Sequence, residues 1–203
     1  MRAGRVGAPH ASDTYYSSMA RDEAEEHVVL VDEHDRPVGS AEKMAAHREG
    51  GRLHRAFSVF LFNAQGEMLL QRRSVGKYHF GGLWTNACCS HPGAGRSIVD
   101  AARARLREEL GIDVPLRELF SFVYRAEDPV SGLTEHEYDH VLVGRFDGVP
   151  TPNPDEVGDW KWVDAAELAA DVGARPADYT PWFKLVLDRV LRQARPVLPD
   201  AER

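Results

Sequence analysis

The chain is poor in cysteine: among 203 residues there are two, Cys88 and Cys89, placed side by side in "TNACCSHP". That excludes a disulfide-stapled secreted scaffold. A bridge between chain neighbours is strained, so both thiols are expected to stay reduced. A second lack is any apolar run long enough to span a bilayer. Nor does the N-terminal stretch hold an apolar core of the signal-peptide kind. Its small and polar residues read as a disordered leader over 1–26, and the cytoplasm is the simplest location. Positive charge is also in deficit: 25 Lys and Arg against 32 Asp and Glu, a formal net charge of −7. Such a chain is poorly suited to wrap nucleic acid, which leaves room for a local basic pocket that takes a small anion. Internal repeats and low-complexity blocks are missing beyond the leader.

What remains is 43% hydrophobic and 28% charged, an ordinary globular balance that suits one domain over 27–195 with a short tail at 196–203. "HVVLVDEHDRPVGSAEK" reads as strand, polar turn and strand, and "MAAHREGGRLH" as a helical turn entering a glycine-bearing loop. The clearest hairpin is "RAFSVFLFNAQGEMLLQRR": Phe57, Val59 and Leu61 alternate, Asn63 to Gly66 turn, and Met68 to Leu70 return. "YHFGGLWTNACCSHP" reads as a glycine-led turn into a short strand. "SIVDAARARLREELGID" has a helical period, with Ile98, Ala102, Leu106 and Leu110 on one face, Ser97 as cap and Gly111 as stop. Strands follow at "LFSFVYRA", "EYDHVLVGRF" and "DWKWVD", then an amphipathic closing helix at "TPWFKLVLDRVLRQ". Strands interleaved with a few helices give an α+β fold, a mixed-sheet α/β/α sandwich.

Imidazoles and carboxylates that converge can hold a zinc-like ion. Of nine histidines, His47, His54 and His91 sit beside loops or strand ends, and a loop can fold His47 and His54 onto one point. Glu135 and Glu137 are alternate residues at a strand start, so they share a face. His136 and His140 have the opposite parity, and His10, His27, His34 and His79 sit beside no such chemistry. Arg72, Arg73 and Lys77 can be a solvated strand end or a phosphate-binding group, the arginines offering a planar donor fork.

Taken in order, "AAHREGGRLHRAFSVFLFN", "LLQRRSVGKYHFGGLWTNACCSHP", "RLREELGI", "YRAEDPVSGLTEHEYDHVLVGR" and "TPWFKLVL" resemble type 1 isopentenyl diphosphate isomerase, a family of the Nudix-fold superfamily. The resemblance runs from about His27 to about Arg192 and implies a Nudix-type sandwich. It implies that His47, His54, His91, Glu135 and Glu137 hold one divalent ion, zinc or manganese. Cys89 and Glu137 match the acid–base pair, with Tyr124 beside them. Trp182 matches the aromatic group of the pocket, although core packing is the commoner fate of a tryptophan on a closing helix. Lys43, Arg73 and Lys77 match the residues that hold the diphosphate, and Glu109 a ligand to magnesium bound with it. The implied partner is a small allylic or homoallylic diphosphate, handled by a monomer without nucleic acid or membrane.

The same superfamily contains pyrophosphohydrolases, whose helix carries a cluster of carboxylates. Here "LREELGI" keeps Leu106, Glu108, Glu109, Gly111 and Ile112, but Ser90, Arg96, Ala104 and Arg105 replace the earlier signature residues. A basic residue at two acidic positions cannot hold a hard cation. A purely structural zinc site is the other alternative. It would be expected to recruit a thiolate, whereas Cys89 stands outside the implied ligand set. If "ACCSH" is extended, Cys89 and His91 share one face and Cys88 the other.

Overall fold

The computed structural model describes residues 27–194, so the leader over 1–26 and the tail at 196–203 lie outside the described residues. One mixed sheet of nine strands is built around β3, His54–Phe62. Its sequence, HRAFSVFLF, is apolar on both faces because helices cover both, and the strand is buried almost throughout. Ahead of it, β1 (His27–Val31) and β2 (Pro37–Glu42) form an antiparallel pair. A five-residue helix α1 (Lys43–His47) follows, its first turn capped by the Glu42 carboxylate.

The Asn63–Gly66 turn forms as the residues suggest, with the Asn63 side-chain oxygen accepting from the backbone N–H of Gln65 and Glu67. The hairpin itself needs correction. β3 and β4 (Met68–Arg73) pair only at Phe62 and Met68 and then part. The reason is competition for edges. β8 (Thr134–Arg145) runs parallel to β3 along its whole length, and the other edge meets β6 (Cys88–Ser90) at Phe57, Ser58 and Val59. β4 turns away to pair with β5 (Trp84–Thr85) and β9 (Val157–Val163). The single short strand expected in "YHFGGLWTNACCSHP" is thus two, separated by Asn86 and Ala87, each pairing with a different arm. β7 (Arg117–Glu127) completes the sheet on the outer edge of β8.

Helix α2 (Ile98–Leu110) starts where Ser97 accepts from the Asp100 N–H and stops at Gly111, which lies at φ 67°. A Cβ on Gly111 would meet the Thr151 hydroxyl, and the positive φ by itself favours glycine. α2 buries Ala102, Leu106 and Leu110 against Phe57, Val59, Leu61 and Cys88 on one face of the sheet. The closing helix α4 (Pro181–Gln193) buries Trp182, Phe183, Val186, Leu187 and Val190 against Phe60, Phe62, Val141 and Val143 on the other. The alternation of β3 therefore feeds two separate cores. Helix α3 (Ala165–Ala174), capped by Asp164, occupies a stretch to which the sequence reading assigned no element.

Cys88 is fully buried beneath α2, while Cys89 packs against the α4 core. Cys88→Ala is expected to cost about 1 kcal/mol, the scale of a small core truncation. The measurement is a urea midpoint that falls while the slope of the transition stays constant.

Candidate active site and metal centre

Three structural coincidences assemble the cluster. α1 ends on His47, β3 begins on His54, and β6 runs out at His91. In the parallel ladder His54 stands opposite Glu137, and Glu135 lies two residues earlier on the same face of β8. One donor atom from each of His47, His54, His91, Glu135 and Glu137 falls within 4.8 Å of every other. His47 Nε2 is 2.9 Å from Glu135 Oε2, and His91 Nε2 is 2.9 Å from Glu137 Oε1 and 3.1 Å from His54 Nε2.

The outward nitrogens decide what this cluster wants. His47 Nδ1 donates to the Lys43 carbonyl at 2.6 Å, and His54 Nδ1 to the Arg52 carbonyl at 2.7 Å. Each neutral ring then carries its proton on Nδ1 and points a bare Nε2 at a carboxylate or at another imidazole. In these neutral tautomers lone pairs face lone pairs, and a metal cation or a proton between them relieves the repulsion. Ligating imidazoles fixed through the other nitrogen are the usual second partners of a divalent ion. The residues therefore fit a resident divalent metal.

The charge balance differs from one member of the cluster to the next. Burial opposes ionisation of Glu135 and Glu137, yet the surrounding imidazoles hold both below the usual carboxylate range. Burial also opposes charge on His47, but the Glu135 carboxylate outweighs it and raises the ring above its ordinary value. At His91 burial wins and brings the pKa down to about 4.

Tyr124 stands opposite Glu137 across the β7–β8 pair, and its hydroxyl donates to Glu137 Oε2 at 2.6 Å. Cys89 lies on β6, where Asn86 Nδ2 donates to its sulfur at 3.1 Å and the thiol reaches Asn86 Oδ1 at 3.2 Å. The same Oδ1 accepts from the Trp182 indole N–H at 3.2 Å, so one fully buried amide ties Cys89 to Trp182. Ser58, 3.5 Å from the sulfur, donates to Asp139 at 2.7 Å. Sequence reasoning missed Asn86, Ser58 and Asp139. Only the parity of β8, which puts Asp139 on the face of Glu137, signals any of them. Burial, with the Asp139 carboxylate adding to it, pushes the Cys89 thiol up to about 12.

The basic residues fall into two settings, Arg73 at Trp182 and the others along a cleft. Arg73 is 7% exposed, lies 5.5 Å over the Trp182 ring, and leaves its Nε without a hydrogen-bond partner. Lys43, Lys77 and Arg105 line a cleft of about 1230 Å³ that reaches the cluster at His91. Lys43 also lies over the Tyr78 ring, and burial lowers its pKa. Lys77 pairs with Glu156, and Arg105 bridges Glu156 and Glu109. Glu109 stands apart from the five-residue cluster. Its oxygens accept from Gln71 Nε2 and Arg105 Nε, both at 2.9 Å. Alone it does not make a second metal site, and a magnesium ion there needs oxygens from a ligand's own phosphates. His79, which has no partner visible in the sequence, is buried against Glu135.

Comparison with known proteins places this arrangement. Residues 52–183 match the NUDIX domain. The chain is 57% identical over 167 residues to isopentenyl-diphosphate Delta-isomerase 2 of Aromatoleum aromaticum, covering 82% of this chain and 87% of that one. It is 50% identical to isopentenyl-diphosphate Delta-isomerase of Nocardia farcinica, covering 79% and 92%. Among solved structures, DR0079 from Deinococcus radiodurans superposes with a TM-score of 0.65 at 26% identity, over 81% of this chain and 98% of that one. A MutT protein from Methanosarcina mazei gives 0.58 at 16% identity, over 70% and 96%, and shares the fold.

In protein stripped of metal by a chelator, alkylation of Cys89 by iodoacetamide should keep climbing with pH to about pH 10, where an ordinary thiol of pKa about 8.5 has levelled off. A raised pKa keeps the unreactive thiol form to higher pH, so the sign is a shift of the rate curve upward in pH. Peptide mapping against time at each pH reads it, and a plateau at the ordinary value would contradict the burial argument.

Proposed function

The chain belongs to the isopentenyl-diphosphate Delta-isomerase family of Nudix-domain proteins, and from that premise we propose how its own residues interconvert isopentenyl and dimethylallyl diphosphate. The reaction moves a double bond. A proton adds to the terminal methylene carbon, leaving a tertiary carbocation, and another leaves the carbon on the diphosphate side. An unactivated alkene is a weak base, so acid and base must be positioned, and water kept out.

Cys89 and Glu137 are the proton-transfer pair. The observation that carries this is their shared setting around Trp182: Tyr124 bonds Glu137 and lies 6.3 Å from the indole ring, and Asn86 bonds both the Cys89 sulfur and the indole N–H. By reversibility, the group that gives the proton in one direction receives it in the other. Tyr124 orients Glu137 through its hydroxyl, and Asn86 holds the thiol. Trp182 offers a π face to the developing cation, worth ~2 kcal/mol or more when desolvated. A divalent ion, zinc or manganese, would supply positive charge beside the Glu137 carboxylate when bound. His47, His54, His91, Glu135 and Glu137 would hold it.

Arg73, Lys77 and Lys43 take the diphosphate, with Arg105 on the facing helix. The buried guanidinium of Arg73, without an anionic partner of its own, supports this role. Glu109 would hold magnesium that arrives with the diphosphate. Arg105 on Glu109 also argues against pyrophosphohydrolysis, because a guanidinium fills the place of a hydrolytic carboxylate. The same reading takes residues 27–195 as one catalytic domain behind a leader over 1–26. It acts as a cytoplasmic monomer with the diphosphate as its partner, in keeping with two free thiols.

Incubation with isopentenyl diphosphate in deuterated water should place deuterium in the dimethylallyl product. Release of phosphate or pyrophosphate without labelled product would overturn the reading. Among variants, Arg73→Ala and Lys77→Ala should raise KM with kcat largely kept, since they hold a group that does not react. Cys89→Ala and Glu137→Gln should lose nearly all turnover while still binding the diphosphate, and Cys88→Ala should stay active. Equal kcat losses at unchanged KM in all four site variants would contradict these assignments.

A further inference from the structure

His79 lies on the loop after β4, 5% exposed, in a position that no comparison assigns and that is not among the five clustered donors. Its surroundings fix its tautomer. Arg73 NH2 lies 3.4 Å from His79 Nδ1 and donates to the His79 carbonyl at 3.2 Å. A guanidinium has donors only. The Nδ1 facing it must therefore present a lone pair, and in the neutral ring the hydrogen sits on Nε2. That nitrogen meets Glu135 Oε1. The Tyr78 ring stacks on the imidazole, with centroids 4.2 Å apart and planes 5° from parallel, and holds its orientation.

This is the reverse of His47 and His54, whose Nδ1 protons go to backbone carbonyls and whose Nε2 lone pairs point inward. Glu135 is held between the two kinds. Oε1 takes the hydrogen of His79, and Oε2 faces the bare Nε2 of His47. We infer that His79 is a positioning residue of the metal site, which fixes Glu135 by one oxygen so that the other is presented to the ion, and which is itself oriented by Arg73. The inference rests on the metal-site reading above and adds to it a residue outside the ligand set.

The test uses the full chain freed of metal and reloaded with zinc. Long-range proton–nitrogen NMR of histidine-labelled protein should show His79 with a protonated Nε2 and a bare Nδ1, both before and after loading. The Nε2 signals of His47, His54 and His91 should move on loading. In competition with a fluorescent chelator, His79→Leu should bind zinc about 10- to 100-fold more weakly, and His79→Gln, whose amide nitrogen can replace the Nε2 donor, should recover to within about threefold. A zinc-induced shift at His79 Nε2 would make it a ligand and overturn the proposal. So would a Nδ1-protonated ring, or a folded His79→Leu that binds zinc like the wild type. Wild-type protein that binds no zinc sinks the site reading itself and takes this proposal with it, whereas unchanged affinity in His79→Leu sinks the proposal alone. Should His79→Leu fail to fold, the tautomer and the Gln variant still decide.

Discussion

The parallel pairing of β3 with β8 is the constraint on which the rest depends. Nine successive partners, from His54 with Glu137 to Phe62 with Arg145, lock two strands into one register. Strand spacing then brings an imidazole and a carboxylate together before any side-chain choice is made. A slip of one residue would turn Glu135 and Glu137 to the opposite face and bring His136 inward, where its ring is now at the Gly51 carbonyl. The same ladder fills one edge of β3. On the other edge β4 pairs only at Phe62, and β6 takes the place beside Phe57, Ser58 and Val59 with Cys89. The donor cluster and the thiol therefore both depend on how the two edges of β3 are shared.

Charge in the site is arranged as unmet demand of both signs. The His and Glu side chains point lone pairs at one another, which a divalent cation relieves. A few residues away Arg73 lies buried with an unpartnered Nε, which an anion relieves. Uncompensated buried charge is expensive. The site can carry both because each waits for a ligand of fixed sign, and His79 lies between the two.

Local signals were read well from the sequence and non-local ones poorly. Helix α2 announced itself through Ser97, Gly111 and a 3.6-residue period, all within fifteen residues of chain. The opposite facing of Cys88 and Cys89 followed from strand alternation alone. The hairpin was misjudged because its turn is local but its pairing is decided by β8 and β6, which no turn residue reports. α3 was passed over although Asp164 caps it. The five clustered donors became legible only through resemblance to a family. Spacing joined His47 to His54 and Glu135 to Glu137, but nothing in the sequence joined one pair to the other. Asn86 and His79 carry no pattern at all, since each owes its role to groups brought in by other strands.

The length of chain between the clustered donors has a consequence for how the protein comes into being. His47 and Glu135 are 88 residues apart, and contacts of that range make a topology slow to fold, because loop closure precedes any reward. During synthesis, a chain that has emerged through β3 owns two of the imidazoles and neither carboxylate. One that has emerged through β6 owns all three imidazoles and the thiol, but still lacks the central neighbour of β3. Sheet and cluster close together when β8 arrives. A cation that needs all five donors would then come late, to a finished register, and would not seed folding.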